Sequence, residues 1–169
     1  MMGGLATGVS LAQDNQSNIQ QVGERNTGTV LQTGDENQAS ILQGVNGYQL
    51  NGVRTMRNVA SQTQDGDNNL ADIEQGDRGP SWDNSASQTQ VGKDNSAFIQ
   101  QGGRFGFAFR NVARQTQDGD NNEAFIDQGA NDGEASDNQA TQAQEGTENN
   151  ATIEQGDFSG TASDNQASQ

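Results

Sequence analysis

The sequence has no cysteine and no histidine, one proline, one Trp and one Tyr. Without cysteine there is no disulfide framework. Without cysteine or histidine the usual ligands of zinc, haem and other nitrogen- or sulfur-bound metals are missing. The same absences remove the thiolate and the imidazole on which most nucleophilic catalysis relies. The carboxylates fall at outward strand positions or in turns, where burial would not shift their pKa, and no enzymatic activity is expected. No stretch approaches 18 apolar residues, so no membrane-inserting helix is expected. Leu, Ile, Val and Phe together make only 26 of 169 residues, too few for a conventional globular core to offset chain entropy. Positive charge is scarce: 8 Lys and Arg stand against 23 Asp and Glu, a net charge of −15. Such a chain has no general electrostatic attraction to nucleic acid.

What is abundant is amide: 24 Gln and 19 Asn. A polar, acidic composition of this kind reads as disorder unless it is periodic. It is periodic. Four segments, 58–75, 84–101, 111–128 and 138–155, share the frame N-x-A-x-Q-x-Q-x-G-x-x-N-x-A-x-I-x-Q. The fixed positions include Asn58, Gln64, Gly66, Asn69, Ala71, Ile73 and Gln75 in the first copy and Asn84, Gln90, Gly92, Asn95, Ala97, Ile99 and Gln101 in the second. The third has Asn111, Gln117, Gly119, Asn122, Ala124, Ile126 and Gln128, and the fourth Asn138, Gln144, Gly146, Asn149, Ala151, Ile153 and Gln155. A near copy runs over 26–43, and half-copies lie at 15–21 and 165–169.

Within each copy the fixed residues fall on alternate positions, which is the period of a strand and not of a helix. Each copy therefore reads as strand, tight turn, strand, with the turn glycine supplying positive φ. Fixed residues suit a face where each side chain meets its own equivalent in the next copy; the variable residues between them suit solvent. The expected fold is all-β: a β-solenoid of stacked strand–turn–strand rungs forming two facing parallel sheets, amyloid-like in its ladders. Asn and Gln amides would bond to the amides one rung away, about 4.8 Å, which satisfies buried polar groups. The repeat domain spans 13–169.

The frame Asn58-x5-Gln64-x-Gly66-x-x-Asn69-x-Ala71-x3-Gln75, repeated from 84, 111 and 138, resembles the curlin repeat of curli fibre subunits. Asn15 to Gln32 also fits, with Gly28 in place of Ala. Two features depart from the family pattern: its Ser is Asn here, and the connections are longer, especially 44–57. The resemblance implies a secreted subunit of an extracellular amyloid fibre on the cell surface, polymerising with itself in a biofilm matrix and mediating adhesion. It further implies an outer-membrane secretion pore, chaperones and a nucleating partner subunit. Lys and Arg are sparse and the last copy has none, which points to the major subunit; the minor, nucleating subunit is the alternative.

Residues 1–12 lie outside the frame. Val9-Ser10-Leu11-Ala12 reads as the end of a secretory signal; the competing reading is a degenerate first strand in which Gly4, Ala6 and Gly8 follow the period. The half-copies suggest how subunits join. Asn15, Ile19 and Gln21 form an unpaired second half-rung, and Asn165, Ala167 and Gln169 an unpaired first half-rung, so that two chains would share one rung head to tail.

Asp65 and Asp67, with Asp118 and Asp120, resemble fragments of calcium loops but lack the Gly and Glu that an EF-hand needs; they read as polar turns, with weak divalent binding as the alternative. The stretch 103–110 is aromatic and basic; its Phe105, Phe107 and Phe109 are expected to extend the inward face, with ligand or single-strand binding as the alternative. Trp82 and Tyr48 are expected to cover edges. Thr63, Thr89 and Thr116 form an outward Thr row of the kind that a soluble ice-binding solenoid would carry, broken by Arg114 and Ala143.

Overall fold

The computed structural model describes residues 5–10, 14–44, 55–76, 80–102, 107–129, 134–156, 161–163 and 166–168. Among these there are seventeen strands and no helix, arranged in three sheets. The first sheet holds β1 (Leu5–Ser10), β3 (Thr27–Thr33), β5 (Val59–Asp67), β8 (Ser85–Lys93), β11 (Val112–Asp118), β14 (Gln139–Glu145) and β17 (Gln166–Ser168), neighbours in that order. The second holds β2 (Gln16–Gln21), β4 (Gln38–Gln43), β6 (Leu70–Gln75), β9 (Ser96–Gln101), β12 (Glu123–Gln128) and β15 (Asn150–Glu154). The third is short: β7 (Ser81–Trp82), β10 (Phe107–Phe109), β13 (Glu134–Ser136) and β16 (Thr161–Ser163). All pairings are parallel, and each joins a strand to its equivalent one repeat away. Ala60 thus lies beside Ala86, and Ile73 beside Ile99. The fold is the β-solenoid that the period of two predicts.

The alternation also places the faces correctly. In β6, β9 and β12 burial alternates strictly along the strand. Asn58, Ala60, Gln62 and Gln64 of one strand, and Asn69, Ala71, Ile73 and Gln75 of the next, are all buried. The core is narrow, because the inward residues are Ala, one Ile per rung and amides. Ile41, Ile73, Ile99 and Ile126 are fully buried and form its apolar spine.

Each rung has three sides, not two. The connections 76–83 and 129–137 between copies contribute β7 and β13, which stack into the third sheet. Isolated bridges from Glu24 to Met56 and from Met56 to Trp82 carry this column two rungs further. Its inward residues are small: Ser81, Ala108 and Ala135 are fully buried. This overturns the expectation for the aromatic stretch. Phe107 points out and is 39% exposed, Phe109 is half-buried, and Ala108 is the inward residue. Phe105 and Tyr48 lie outside the described residues.

The N-terminal end also differs. Leu5–Ser10 pairs with β3 in register, Ala6 beside Gly28 and Gly8 beside Val30, so it occupies the place of a degenerate first strand. The half-rung 15–21 is therefore not unpaired in this chain: β1 supplies its first half. At the other end β17 pairs with β14 as the frame predicts, Ala167 beside Ala140, while Asn165 and Gln169 lie outside the described residues.

One corner of the rung is fixed by glycine. Gly66, Gly92 and Gly119 have φ of 131°, 110° and 124°, where a side chain is strained. The second constraint is space. A Cβ on Gly92 would sit 2.1 Å from the Gly119 carbonyl oxygen, and one on Gly66 would sit 1.9 Å from that of Gly92. The column is backbone against backbone. At Gly146 the nearest atom to an added Cβ is the Asn149 amide nitrogen at 3.6 Å. Gly146→Ala should therefore lose only the φ strain, about 1–3 kcal/mol. Gly92→Ala adds a steric overlap that the next rung cannot relieve, and should lower the thermal unfolding midpoint well beyond Gly146→Ala. Equal midpoints would show that φ alone matters.

Candidate functional site

The rungs are held by amide columns running the length of the stack. In the first, the Nε2 of Gln32, Gln64, Gln90 and Gln117 donates to the Oε1 of the next glutamine at 2.9, 3.0, 2.9 and 3.0 Å, ending on Gln144. In the second, Gln62, Gln88 and Gln115 donate onward at 3.0–3.1 Å, ending on Gln142. The third runs Gln21, Gln43, Gln75, Gln101, Gln128 and Gln155 at 2.6–2.9 Å. Each glutamine also uses its second N–H. Gln62, Gln88 and Gln115 donate to the Ser40, Asp72 and Phe98 carbonyls of the second sheet at 2.9 Å. Gln75, Gln101 and Gln128 donate to the Val59, Ser85 and Val112 carbonyls of the first sheet at 3.0–3.1 Å. One side chain thus joins rung to rung and sheet to sheet.

Asparagine guards the corners. The backbone N–H of Asn69, Asn95, Asn122 and Asn149 donates to the Oδ1 of the asparagine one rung before, at 3.0–3.1 Å. Asn58, Asn84, Asn111 and Asn138 repeat this with Asn26, Asn58, Asn84 and Asn111 at 2.9–3.1 Å. The side-chain N–H groups of Asn69, Asn95 and Asn122 reach the carbonyls of Gly92, Gly119 and Gly146, and those of Asn58, Asn84 and Asn111 reach Ser81, Ala108 and Ala135 of the third sheet. The expected ladder residues therefore do lie together. Besides the turn glycines, two are only half-covered, Asn149 and Ala151, because no second-sheet strand follows β15 among the described residues.

The columns have a direction: every glutamine donates toward the C-terminal side. Two orphaned atoms mark where they start. Gln62 Oε1 is buried without a partner, and its neighbour one rung before is Val30, whose side chain has no N–H to give. Gln32 Oε1 is likewise unpartnered, beside Ser10.

Asp67 pairs with Lys93 Nζ at 3.0 Å, which holds its carboxyl below the usual range. Asp120 accepts the Lys93 backbone N–H at 2.8 Å, and Asp65 and Asp118 are exposed. Among the described residues no three His, Cys, Asp or Glu side chains are grouped to hold a metal. At the opposite corner Arg57 forms a bidentate pair with Asp83 at 2.6 Å, and Arg110 pairs with Asp137 in the same way; both aspartates are held low by their arginine. Trp82 stacks on Phe109, with centroids 5.1 Å apart and planes at 4°, and Arg110 lies over the Phe109 ring at 5.0 Å. Phe98 and Phe125 stack at 5.2 Å on the outer face of the second sheet; the signal for this pair was their equal position in adjacent copies. The outward row Thr63, Thr89, Thr116 continues as Leu31 on one side and Ala143 on the other, with Arg114 beside it.

Two outward carboxyls are unusual. Asp72 and Asp127 are pushed up to about 6 by burial, and each has an Oδ1 without a hydrogen-bond partner. Asp72 stands between Ser40 and Phe98, and Asp127 between Gln100 and Glu154.

Two predictions follow from these contacts. Gln88→Leu leaves Gln115 Oε1 without a donor and Gln62 without an acceptor, at about 1–3 kcal/mol per orphaned group, whereas Val30→Gln places a side-chain N–H opposite Gln62 Oε1. Thermal melts should show Gln88→Leu far below wild type and Val30→Gln above Val30→Leu; a Val30→Leu chain as stable as Val30→Gln would remove the orphaned acceptor from the account. The raised carboxyls set a pH dependence. The folded chain binds these two protons more tightly than the unfolded chain, so stability rises as pH falls from above about 6 toward 4. The paired Asp67, Asp83 and Asp137 act oppositely, and their contribution is lost at still lower pH as they protonate. Asp72→Asn should raise the midpoint at pH 7.5 and leave it unchanged near pH 4; a gain equal at both pH values would exclude desolvation of Asp72 as the cause.

No family model, curated protein or solved structure matches the chain.

Proposed function

We propose that this chain is a structural subunit of an extracellular, curli-like amyloid fibre, polymerising with itself and serving adhesion and biofilm cohesion without catalysis. One observation carries the reading: the contacts between rungs are directional and repeat by translation. Every amide column donates in the same direction, the third from Gln21 on the N-terminal side to Gln155 on the C-terminal side, and the other two end on Gln142 and Gln144. The two ends are therefore complementary and not alike. A contact of that kind is heterologous and does not close, so it extends as a filament. Exposed parallel edge strands at both ends are templates for the same addition.

The resemblance of the repeat to curlin adds the biological setting: export through an outer-membrane pore, chaperones that hold the chain before assembly, and a separate nucleating subunit. The sparse basic charge favours the role of major subunit. The net charge of −15 works against assembly, because like charges on the outer faces and turns stack in register.

Purified chain should form seedable fibres with a meridional repeat of about 4.8 Å in diffraction. Growth should accelerate with added salt and as pH falls toward the isoelectric point of about 4.1. A chain that stays monomeric under all of these conditions, with or without seeds, would overturn the proposal.

A further inference from the structure

β1 is the weakest member of its sheet. Its inward positions hold Ala6 and Gly8, and Leu5 to Val9 are all exposed, Leu5 by 68% and Val9 by 46%. It adds nothing to the amide columns: Gly8 lies beside Val30, and Ser10 lies beside Gln32, whose Oε1 has no donor. The strand opposite it is a full member. In β2, Gln21 donates to Gln43 at 2.6 Å, and Asn15 accepts the Asn37 backbone N–H at 2.8 Å.

At the far end of the same sheet, β17 continues the register, Gln166 beside Gln139 and Ala167 beside Ala140. No second-sheet strand faces it among the described residues. The first sheet thus has one strand more than the second. Among the described residues β1 and β17 are both first halves, and β2 is the second half that either could complete where two copies meet. By sequence the better fit is β17, whose segment reads Asn165-x-Ala167-x-Gln169 where the β1 segment reads Gly4-x-Ala6-x-Gly8.

An independent feature agrees. The corner between the third sheet and the first strand carries, rung by rung, Arg25, Arg57, Asp83, Arg110 and Asp137, all at positive φ, and the sequence repeats the acid as Asp164. Inner members pair Arg to Asp. Arg25 instead has a cation as its rung neighbour, since Arg57 follows Arg25 by the Arg57 N–H bond to the Glu24 carbonyl at 3.0 Å. The column is positive at one end and negative at the other.

The geometry points to strand exchange at the junction between two copies: β17 of one chain displaces β1 of the next and completes the rung of its β2. β17 then lies between β14 of its own chain and β3 of the next. β15 pairs with β2, bringing Gln155 to Gln21 and Ile153 to Ile19 in their existing columns, and Arg25 comes one rung from the acidic end of the corner column. β1 is a cover for the growing edge, held weakly enough to be replaced. This rests on the fibre reading above and specifies how its subunits join.

The test uses the absence of native cysteine. Thr7 and Thr29 are exposed register partners on β1 and β3, at the strand spacing of about 4.8 Å that a disulfide spans. Oxidised Thr7→Cys/Thr29→Cys chain should lose the ability to extend wild-type seeds, and thiol reductant should restore it. A Thr63→Cys/Thr89→Cys lock between β5 and β8 should extend seeds whether oxidised or reduced, which separates the effect from disulfides in general. Deleting 1–12 should shorten the lag. If the oxidised Thr7→Cys/Thr29→Cys chain extends seeds as fast as the reduced one, exchange is wrong and subunits add by blunt stacking with β1 in place. If wild-type, reduced and deleted chains all fail to form fibres, the fibre reading itself fails.

Discussion

The structure depends on a glutamine amide that spends both of its N–H groups inside the protein. One goes to the next rung and one to a backbone carbonyl of the facing sheet. A buried primary amide is ordinarily a liability, because each unmet group costs about 1–3 kcal/mol. Here the translation from rung to rung supplies the partner, so the polar interior is satisfied by repetition and not by a particular neighbour. This explains how 26 large apolar residues in 169 suffice. The apolar spine of isoleucine sets the distance between sheets, and the amides lock it. It also explains why the interior tolerates few exceptions: where Val30 interrupts a column, the next glutamine loses its donor at once.

Much of this was legible in the sequence because the residues that face inward are nearly the same in every copy. Gln64, Asn69, Ile73 and Gln75 announce their face by recurring with period two, and that face is where they lie. Three things were hidden. The second N–H of each glutamine leaves no trace in a pattern, because its acceptor is a backbone carbonyl. The third sheet is two or three residues per rung, and its inward column of Ser81, Ala108 and Ala135 has size in common but not identity. Carrying the alternation of the neighbouring strand through this corner gives the wrong parity, which is why Phe107 and Phe109 point outward. β1 was ambiguous because it keeps the backbone pairing while lacking every amide of the frame.

The corners divide the electrostatics. At the glycine corner the acids crowd together, relieved locally by Lys93. At the other corner Arg57–Asp83 and Arg110–Asp137 alternate in sign. Such exposed pairs add little stability. Their use is to distinguish one register from another, since a slip by one rung would set Arg beside Arg, as already occurs at Arg25 and Arg57.

The glycine corner also differs from the corner that follows the second strand in the lengths of chain it accepts. Between the glycine and the asparagine that opens the second strand the spacing is the same in every copy, because the backbones touch there. Between the second strand and the third sheet it is not: 44–55 separates β4 from Met56, whereas 76–80 separates β6 from β7, and Met56 still bridges to Trp82. Chain length is absorbed on a single edge without disturbing any column. That edge is a natural place to graft foreign peptides, which a stacked scaffold would then present as an ordered row along one side of its axis.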